Sequence, residues 1–250
     1  MRKKKFQTIT DFGNQWQIHG DLNHDYFTGD QMFRDYFAGL FDPSHFQNKK
    51  VLEVGSGSGR ILNMLDKYDP EVLIGVEPSH GFEVLQKNIK GKNIKVLNSS
   101  GESFQSEKMD FIISLGVIHH IPNPDQTIRN IYNHLKEDGK FIMWVYGLEG
   151  NRIYVYLYRA LSIITKRIND NQLDKLSNFL SKLVVVYYKI SKIFNYKLPM
   201  TDYIKNVFLP CGLLERKYIV FDQLNPTYAK YYKKSQVLTL LKNNGFNNIS

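Results

Sequence analysis

The chain has 250 residues, 42% of them hydrophobic, which is enough for one full core but cramped for two independent domains. Its single cysteine excludes an intrachain disulfide and fits a reducing compartment. No run of about 18 uncharged apolar residues occurs, so no membrane-spanning helix is predicted, and the basic start lacks the apolar segment of a signal peptide. A cytoplasmic protein is therefore expected, although the formal net charge of +9 raises the question of nucleic acid.

Residues 1–48 are predicted to form a helical cover over the following domain. Within this segment, an amphipathic helix is expected from about residue 30 to 41. The expectation depends on five aromatic and aliphatic side chains that recur at spacings of three and four: Phe33, Tyr36, Phe37, Leu40 and Phe41.

Five apolar runs follow, separated by segments with helical spacing or turn residues. They lie at residues 51–54, 72–76, 94–97, 110–115 and 141–145. Strands that alternate with helices predict an α/β fold with a parallel sheet and crossover connections. In such a sheet a ligand binds at the carboxyl ends of the strands, near the switch point beside the first strand.

The first of these runs leads directly into a turn spaced by glycines. From Glu53 to Gly59 the chain reads Glu-x-Gly-x-Gly-x-Gly, and another acid, Glu77, ends the second run. Glycine can adopt positive φ and lets a ligand approach the main chain where a strand turns into a helix. The dinucleotide fingerprint requires its third glycine at position 60, where this chain has Arg60, so a nicotinamide cofactor is disfavoured.

The glycine turn and Glu77 resemble those of the class I S-adenosylmethionine (SAM) dependent methyltransferases of the small-molecule group. The resemblance covers roughly residues 49–146. Residues 109–120 look like the family's fourth strand and the loop after it, and residues 135–143 are similar to its turn into strand five. The resemblance implies a Rossmann-like, doubly wound, mostly parallel sheet for residues 49–146, with SAM as the cofactor.

The same resemblance implies a set of cofactor-binding residues. They are Glu53, Gly55, Ser56, Gly57, Gly59, Glu77, Pro78, Ser100, Gly101, Glu102 and Leu115. Glu77 would accept charge-assisted hydrogen bonds from the ribose hydroxyls. Many relatives have Gly-Asp-Ala-Glu after strand three, whereas this chain has Ser-Ser-Gly-Glu at residues 99–102. Contact with adenine is therefore expected from the Ser100 hydroxyl and the Gly101 backbone.

His119 and His120 are the candidates for a catalytic base, because histidine titrates near neutral pH and the loop after strand four faces the methyl group in the family. The alternative is that they pack or cap the next helix, and a carboxylate acceptor would need no base. No cluster of metal ligands has a suitable spacing, so no metal is predicted.

Several aromatic residues are candidates to line the pocket, with ordinary core packing as the alternative. They are Trp16, Tyr26, Phe27, Trp144 and Tyr146. Residues 12–16 also resemble an N-terminal element that lies over the cofactor in some relatives.

Residues 147–216 are too many for a connector between a strand and a helix, so an inserted helical cap is predicted there. Residues 151–210 include ten basic and three acidic residues. A lid over an apolar acceptor is the first interpretation. There are three other interpretations: a contact of basic helices in residues 151–205 with an anionic membrane, a dimer interface, and lysines that are merely solvated. The oligomeric state stays open.

Residues 217–250 are expected to complete the core. Class I sheets end in an antiparallel hairpin, but no residues remain after Ser250 for its final strand. The expectation is therefore either a clipped chain or an unusual sheet edge.

These patterns predict a SAM-dependent methyltransferase acting at oxygen, nitrogen or carbon of a small-molecule or lipid-like acceptor, with release of S-adenosylhomocysteine. Nucleic acid is an unlikely acceptor on this interpretation, because residues 121–125 lack an Asn-Pro-Pro-Tyr motif and Cys211 is far from that loop. The alternatives are an RNA methyltransferase and a non-catalytic SAM sensor or scaffold.

Overall fold

A computed structural model describes residues 2–20, 29–193 and 198–250 of the chain. The chain divides into two compact units. The first, here called the core unit, comprises residues 1–21, 33–150 and 227–250. The second, here called the helical unit, comprises residues 22–32 and 151–226.

The core unit contains a five-stranded sheet. Its strands are β1 (Lys50–Val54), β2 (Val72–Val76), β3 (Ile94–Leu97), β4 (Met109–Leu115) and β5 (Leu135–Trp144). Their order is β3-β2-β1-β4-β5, and every neighbouring pair is parallel. The predicted Rossmann-like parallel sheet is confirmed. The order reverses beside β1, so the switch point lies where the glycine turn follows β1.

The described α-helices are α1 (Arg2–His19), α2 (Asp30–Phe37), α3 (Arg60–Asp66), α4 (Phe82–Asn88), α5 (Asp125–His134), α6 (Arg152–Thr165), α7 (Asp170–Ile193), α8 (Thr201–Tyr203), α9 (Leu213–Leu224) and α10 (Lys234–Asn243). Short 3₁₀ turns cover Pro43–Phe46 and Ile118–His120, and one π turn covers Ile204–Phe208.

Two element boundaries differ from the sequence-based expectation by more than one residue. The helix expected over 30–41 ends at Phe37, because Ala38 and Gly39 have φ angles of 48° and 74°, which a right-handed helix cannot contain. Strand β5 begins at Leu135 rather than at 141. Met109 pairs with Leu135 while Phe111 pairs with Lys140, so residues 136–139 form an irregular extension of the strand.

Alternating side chains of the strands supply two cores, one on each face of the sheet. On one face Val51, Leu73 and Ile113 join side chains of α3 and α4 and the buried rings of Phe33 and Phe46. On the other face Leu52, Ile74 and Ile112 join side chains of α5 and α10. Helices therefore cover both faces of the sheet, and the carboxyl ends of the strands are the place where a ligand site is expected.

Residues 151–226 of the helical unit form α6 to α9 and their connections. The Thr165 hydroxyl donates to the Leu224 carbonyl over 3.3 Å, which ties the end of α6 to the end of α9. Lys217 on α9 forms an ion pair of 2.8 Å with Asp174 on α7. Across the described residues, none of the helices combines the length and the apolarity that crossing a bilayer requires.

Candidate cofactor site

The glycine turn leaves the carboxyl end of β1 and leads into α3. Gly55, Gly57 and Gly59 have φ angles of 82°, 53° and 86°, so the turn lies in the left-handed region. Gly57 is constrained twice, because a Cβ added there would also come within 2.7 Å of the Trp16 ring. Ser56 is buried beneath the turn, and its hydroxyl donates to the Glu53 carbonyl over 3.4 Å.

Glu77 stands at the end of β2, directly beside this turn. Its Oε2 accepts a hydrogen bond of 2.9 Å from the Gly57 amide, and its Oε1 accepts one of 3.0 Å from the Ser79 amide. The side chain is buried, so the two amides hold the carboxylate in one orientation. Each carboxylate oxygen has a second lone pair, which leaves capacity to accept bonds from two hydroxyls of a ligand.

A second carboxylate, Glu53, lies inside β1 close enough to interact electrostatically with Glu77. Its side chain is 1% exposed, and within the described part of the chain its Oε2 has no hydrogen-bond partner. Burial raises the pKa of Glu53 to about 8. A cationic group placed near this oxygen would complete its hydrogen bonding and lower that pKa.

Helix α1 lies over the glycine turn. The Trp16 indole contacts both Gly57 and Gly81, at 2.7 Å from the Cβ position of each. The Phe12 ring stacks on Trp16 with centroids 6.3 Å apart and meets the His120 ring edge-on at 4.8 Å. Residues 12–16 therefore span from the glycine turn to the loop after β4. Tyr26 and Phe27, also predicted to line the pocket, fall outside the described residues.

The loop after β3 carries Ser100 and Gly101, which are expected near adenine, and Glu102, which is also expected to bind the cofactor. Gly101 is packed against Val54 at the end of β1, because a Cβ there would lie 2.9 Å from the valine side chain. The Ser100 hydroxyl is 2.9 Å from that of Ser103 at the surface. Glu102 forms an ion pair with Lys5 of α1. Gly101 thus lies beside the strand ends, whereas Ser100 and Glu102 are engaged with other residues.

The remaining expected cofactor residues border the same edge of the sheet. Pro78 is half-buried and follows Glu77 directly. Leu115 is half-buried at the end of β4 and packs against the core on the α3 side. Beyond it, a Cβ at Gly55 would lie 2.5 Å from the Val117 side chain, so the loop after β4 rests on the glycine turn.

His119 and His120 are both buried in the loop after β4. The Nδ1 of His120 is 2.9 Å from the Tyr228 carbonyl, which only accepts, so Nδ1 carries the hydrogen and Nε2 keeps its lone pair. Neither ring nitrogen of His119 has a hydrogen-bond partner among the residues described. Burial lowers the pKa of His120 to about 4 and that of His119 well below its ordinary value, so both rings are neutral at pH 7.

Aromatic side chains surround this histidine pair. The His119 ring lies 3.8 Å from that of Tyr146 and 6.2 Å from that of Trp144, centroid to centroid. Tyr146 in turn stacks on Tyr231 at 5.3 Å. Trp144 and Tyr146 therefore adjoin the histidines at the end of β5, whereas Trp16 adjoins the glycine turn.

Several contacts at the site come from residues that the sequence analysis had not singled out. Ser79 lies two residues after Glu77, and Val117 lies within the motif at residues 109–120, so their positions offered a local signal. Tyr228 is 108 residues from His120, and Lys5 is 97 residues from Glu102. No local pattern reveals contacts of that sequence separation.

A sheet of order 3-2-1-4-5 with a glycine turn after its middle strand and a carboxylate at the tip of the next strand defines a Rossmann-like nucleotide-cofactor domain. A family model described as a methyltransferase domain matches residues 26–172, more than half of the chain, and the chain belongs to this family. The assignment to the class I SAM-dependent methyltransferases, with SAM as cofactor, is confirmed.

The chain is also similar to individual proteins of known sequence. It is 27% identical over 155 residues to the tRNA U34 carboxymethyltransferase of Aliarcobacter butzleri, covering 60% of this chain and 46% of that protein. It is 30% identical over 102 residues to the ubiquinone biosynthesis O-methyltransferase of Rickettsia akari, covering 40% and 41% of the two chains. The matches therefore span less than half of either relative.

Among solved structures, a SAM-dependent methyltransferase from Thermotoga maritima, described as a possible histamine N-methyltransferase, aligns with a TM-score of 0.43 at 16% identity. The alignment covers 94% of this chain and 82% of that one. A likeness of this size says nothing about the acceptor. The expectation that nucleic acid is an unlikely partner is not supported, because one of the similar proteins is named for a tRNA position.

The residues present fit SAM. The cofactor carries a ribose diol, for which Glu77 has free lone pairs, and an ammonium group, for which the buried Oε2 of Glu53 is an acceptor without a partner in the described chain. In the glycine turn, Gly57 has no side chain and lies within hydrogen-bond distance of Glu77.

Proposed function

We propose that this protein binds SAM at the glycine turn and transfers its methyl group to an acceptor, with release of S-adenosylhomocysteine. The observation that carries the proposal is the bond between the Gly57 amide and Glu77, beside Glu53, whose Oε2 has no hydrogen-bond partner within the described ranges. A buried carboxyl group with an oxygen that has no partner among the described residues, such as Glu53, would be costly in a purely structural role, because a buried polar atom without a partner destabilises the fold.

In this proposal the residues have separate roles. Glu77 accepts hydrogen bonds from the ribose hydroxyls, and Glu53 accepts one from the ammonium group. The glycine turn, with Gly55, Ser56 and Gly59, gives the cofactor access to the main chain. Residues 100–102 border the adenine, with the Gly101 backbone as its main contact, and Pro78 and Leu115 supply apolar walls.

The chemistry of transfer needs little from the protein. The sulfonium of SAM activates the methyl group when the cofactor is bound. The chain has to align the acceptor, exclude water and, for a hydroxyl acceptor, take a proton. His120 is the better candidate for the proton, because its Nδ1 bond to Tyr228 leaves Nε2 free to accept. Its low pKa makes it a weak base, so an acceptor that loses its proton readily suits it best.

The acceptor we propose is a small-molecule or lipid-like compound. The support is the aromatic character of the surroundings of His119, which include Trp144 and Tyr146. Aromatic side chains of this kind favour contact with a flat or apolar acceptor over contact with a polyanion.

RNA is the second candidate acceptor. It is favoured by the similarity to a tRNA-modifying protein and by the formal net charge of +9. A SAM-binding sensor or scaffold without turnover is the third interpretation, and it shares the cofactor site with the other two.

The test is binding followed by turnover. Mass spectrometry of the purified protein should detect SAM or S-adenosylhomocysteine, and calorimetric titration should detect their binding. Transfer of a radiolabelled methyl group is then screened over quinols, phenols, amines, lipids and tRNA, with Gly57→Val as the inactive control. Binding without turnover on any acceptor would favour the sensor, and methylated tRNA would favour the second candidate.

A further inference from the structure

The outer face of α7 is apolar, although it faces solvent. Five residues form this apolar stripe, with exposed fractions between 44% and 77%: Phe179, Leu183, Val186, Ile190 and Ile193. Their spacings of four and three residues place them in one line along the helix. The opposite side of α7 is the buried one, and it is lined mostly by small residues such as Ser177 and Ser181.

A row of lysines runs beside this apolar stripe. Lys175, Lys182 and Lys189 are exposed and repeat every seven residues. Each precedes a stripe residue by four positions, so each lies one turn from Phe179, Val186 or Ile193, respectively. The lysine row therefore follows one flank of the stripe along the helix.

Acidic residues are absent from this face of α7. The helix contains two acids, Asp170 and Asp174, and both are half-buried. Asp174 is engaged by Lys217 of α9. The outward face of the helix thus combines apolar side chains with positive charge only.

Helix α6 of the same unit has the same character. Its sequence contains no acid, and Ile153, Tyr156, Leu157, Ile163 and Ile164 are each at least 59% exposed. Arg152 and Arg159 are exposed on the same helix. Two helices of the helical unit therefore share an exposed apolar and basic composition.

We propose that the outer face of α7 docks on the surface of an anionic phospholipid bilayer. The apolar stripe would enter the boundary between headgroups and acyl chains, and the lysine row would lie at the level of the lipid phosphates. This is the arrangement in which amphipathic helices bind membranes from the side, with attraction that depends on anionic lipid and weakens with salt. The proposal goes beyond methyl transfer and does not depend on it.

The composition of the face favours a bilayer over the other partners. A second copy of the same face would bring two lysine rows together with no acid to neutralise them. The lysines could bind the phosphates of RNA. However, only Phe179 in the stripe has a ring on which a base can stack, and nucleic-acid interfaces are polar, whereas the stripe is apolar. Lipid satisfies both the apolar and the basic parts of the face.

The experiment is flotation of the full chain with two kinds of vesicle, phosphatidylcholine alone and phosphatidylcholine mixed with phosphatidylglycerol. The protein should bind the mixed vesicles, bind the neutral ones far less, and lose binding as salt is raised. Lys182→Glu with Lys189→Glu, and separately Phe179→Ser with Ile190→Ser, should each weaken partitioning at least about tenfold. All four side chains are exposed, so the fold should persist.

The matched control is Lys87→Glu with Lys92→Glu, two exposed lysines of the core unit, which makes the same change in net charge. It should retain binding to the mixed vesicles. An equal loss in this control, or no binding by the unchanged protein, would overturn the proposal.

Two further outcomes would overturn it in favour of another occupant. If the stripe variant changes the oligomeric state in sedimentation velocity while vesicle binding stays the same, the face is an interface between copies. If the charge variant loses tRNA binding alone, the face binds RNA. SAM affinity, measured calorimetrically on the same samples, reports separately on the proposed function.

Discussion

The Gly57 amide donates a hydrogen bond of 2.9 Å to Oε2 of Glu77, and this bond joins the turn after β1 to the end of β2. Because β1 and β2 are parallel neighbours in register, Val54 opposite Val76, the two features come together at one edge of the sheet. The arrangement explains why a carboxylate is tolerated in a buried position. It also brings the Glu77 carboxylate and the main chain of the glycine turn together, as the proposed binding of one ribose-bearing ligand requires.

Replacement of Glu77 by alanine should weaken SAM binding by about 1 to 3 kcal/mol, because both ribose hydrogen bonds are lost. Isothermal titration with SAM measures the change. Glu83→Ala, an exposed acid on the neighbouring α4, serves as the control and should bind as the unchanged protein does. Equal affinity of Glu77→Ala and the unchanged protein would contradict the ribose assignment.

A side chain at position 57 should abolish SAM binding. Gly57→Val introduces strain at a φ angle of 53° and a contact with the Trp16 ring, which is 2.7 Å from the Cβ position. Gly147→Ala is the matched control, since a Cβ there meets nothing within 4 Å. The two variants are compared by calorimetry, with thermal unfolding to verify the fold. Retained affinity in Gly57→Val would place the cofactor elsewhere.

Trp16 should report cofactor binding by its fluorescence. The chain contains two tryptophans, Trp16 and Trp144, so Trp144→Phe leaves the indole that lies on Gly57 as the single emitter. Addition of S-adenosylhomocysteine should change its emission, because the ligand has to reach the same turn. The reciprocal variant Trp16→Phe isolates Trp144 for comparison. An unchanged emission of Trp16 at a ligand concentration that saturates calorimetric binding would show that α1 does not cover the cofactor.

SAM binding at pH 7 should release a proton from Glu53. Burial raises the pKa of this carboxyl to about 8, so it is mostly protonated before binding, and the ammonium of the ligand then favours its ionised form. Calorimetry at pH 7 in buffers of different ionisation enthalpy measures the number of protons released. Glu53→Gln should abolish the release. A titration whose enthalpy is independent of the buffer would refute this role for Glu53.

The buried histidines should make the fold less stable in acid. Their pKa values are lower in the folded protein than the ordinary 6.5, with His120 at about 4, so below pH 6.5 the unfolded chain binds more protons. The contribution of the two neutral histidines to the free energy of unfolding is fully present above pH 6.5 and falls as the pH drops toward 4. Denaturant unfolding of His119→Phe should show a smaller loss over that range than the unchanged protein. The exposed His45→Gln should behave as the unchanged protein does.

The sheet was predictable because parallel strands are buried runs bounded by turns, and each of the five strands overlaps its expected position. The end of α2 was not predictable from the sequence. The pattern of apolar spacing continues through Leu40, whereas the left-handed backbone at Ala38 ends the helix. The early start of β5 depends on a register shift against β4, which involves pairing between strands and leaves no local trace.

The features of the candidate site also divide into those that the sequence predicted and those that it did not. The meeting of Glu77 and Gly57 follows from a rule about neighbouring parallel strands, so sequence alone predicted it. The bond between His120 and Tyr228, and the position of Trp16 on the turn, join segments far apart in the chain. Only the packed structure brings such residues together, and the roles of the histidines and of residues 100–102 stay predictions.

The most direct measurement is a crystal structure of the protein with S-adenosylhomocysteine. We predict that the ribose hydroxyls lie within hydrogen-bond distance of the Glu77 carboxylate and that the ammonium group faces Glu53. A ligand bound away from the glycine turn, or no ligand in crystals grown at saturating concentration, would contradict this prediction.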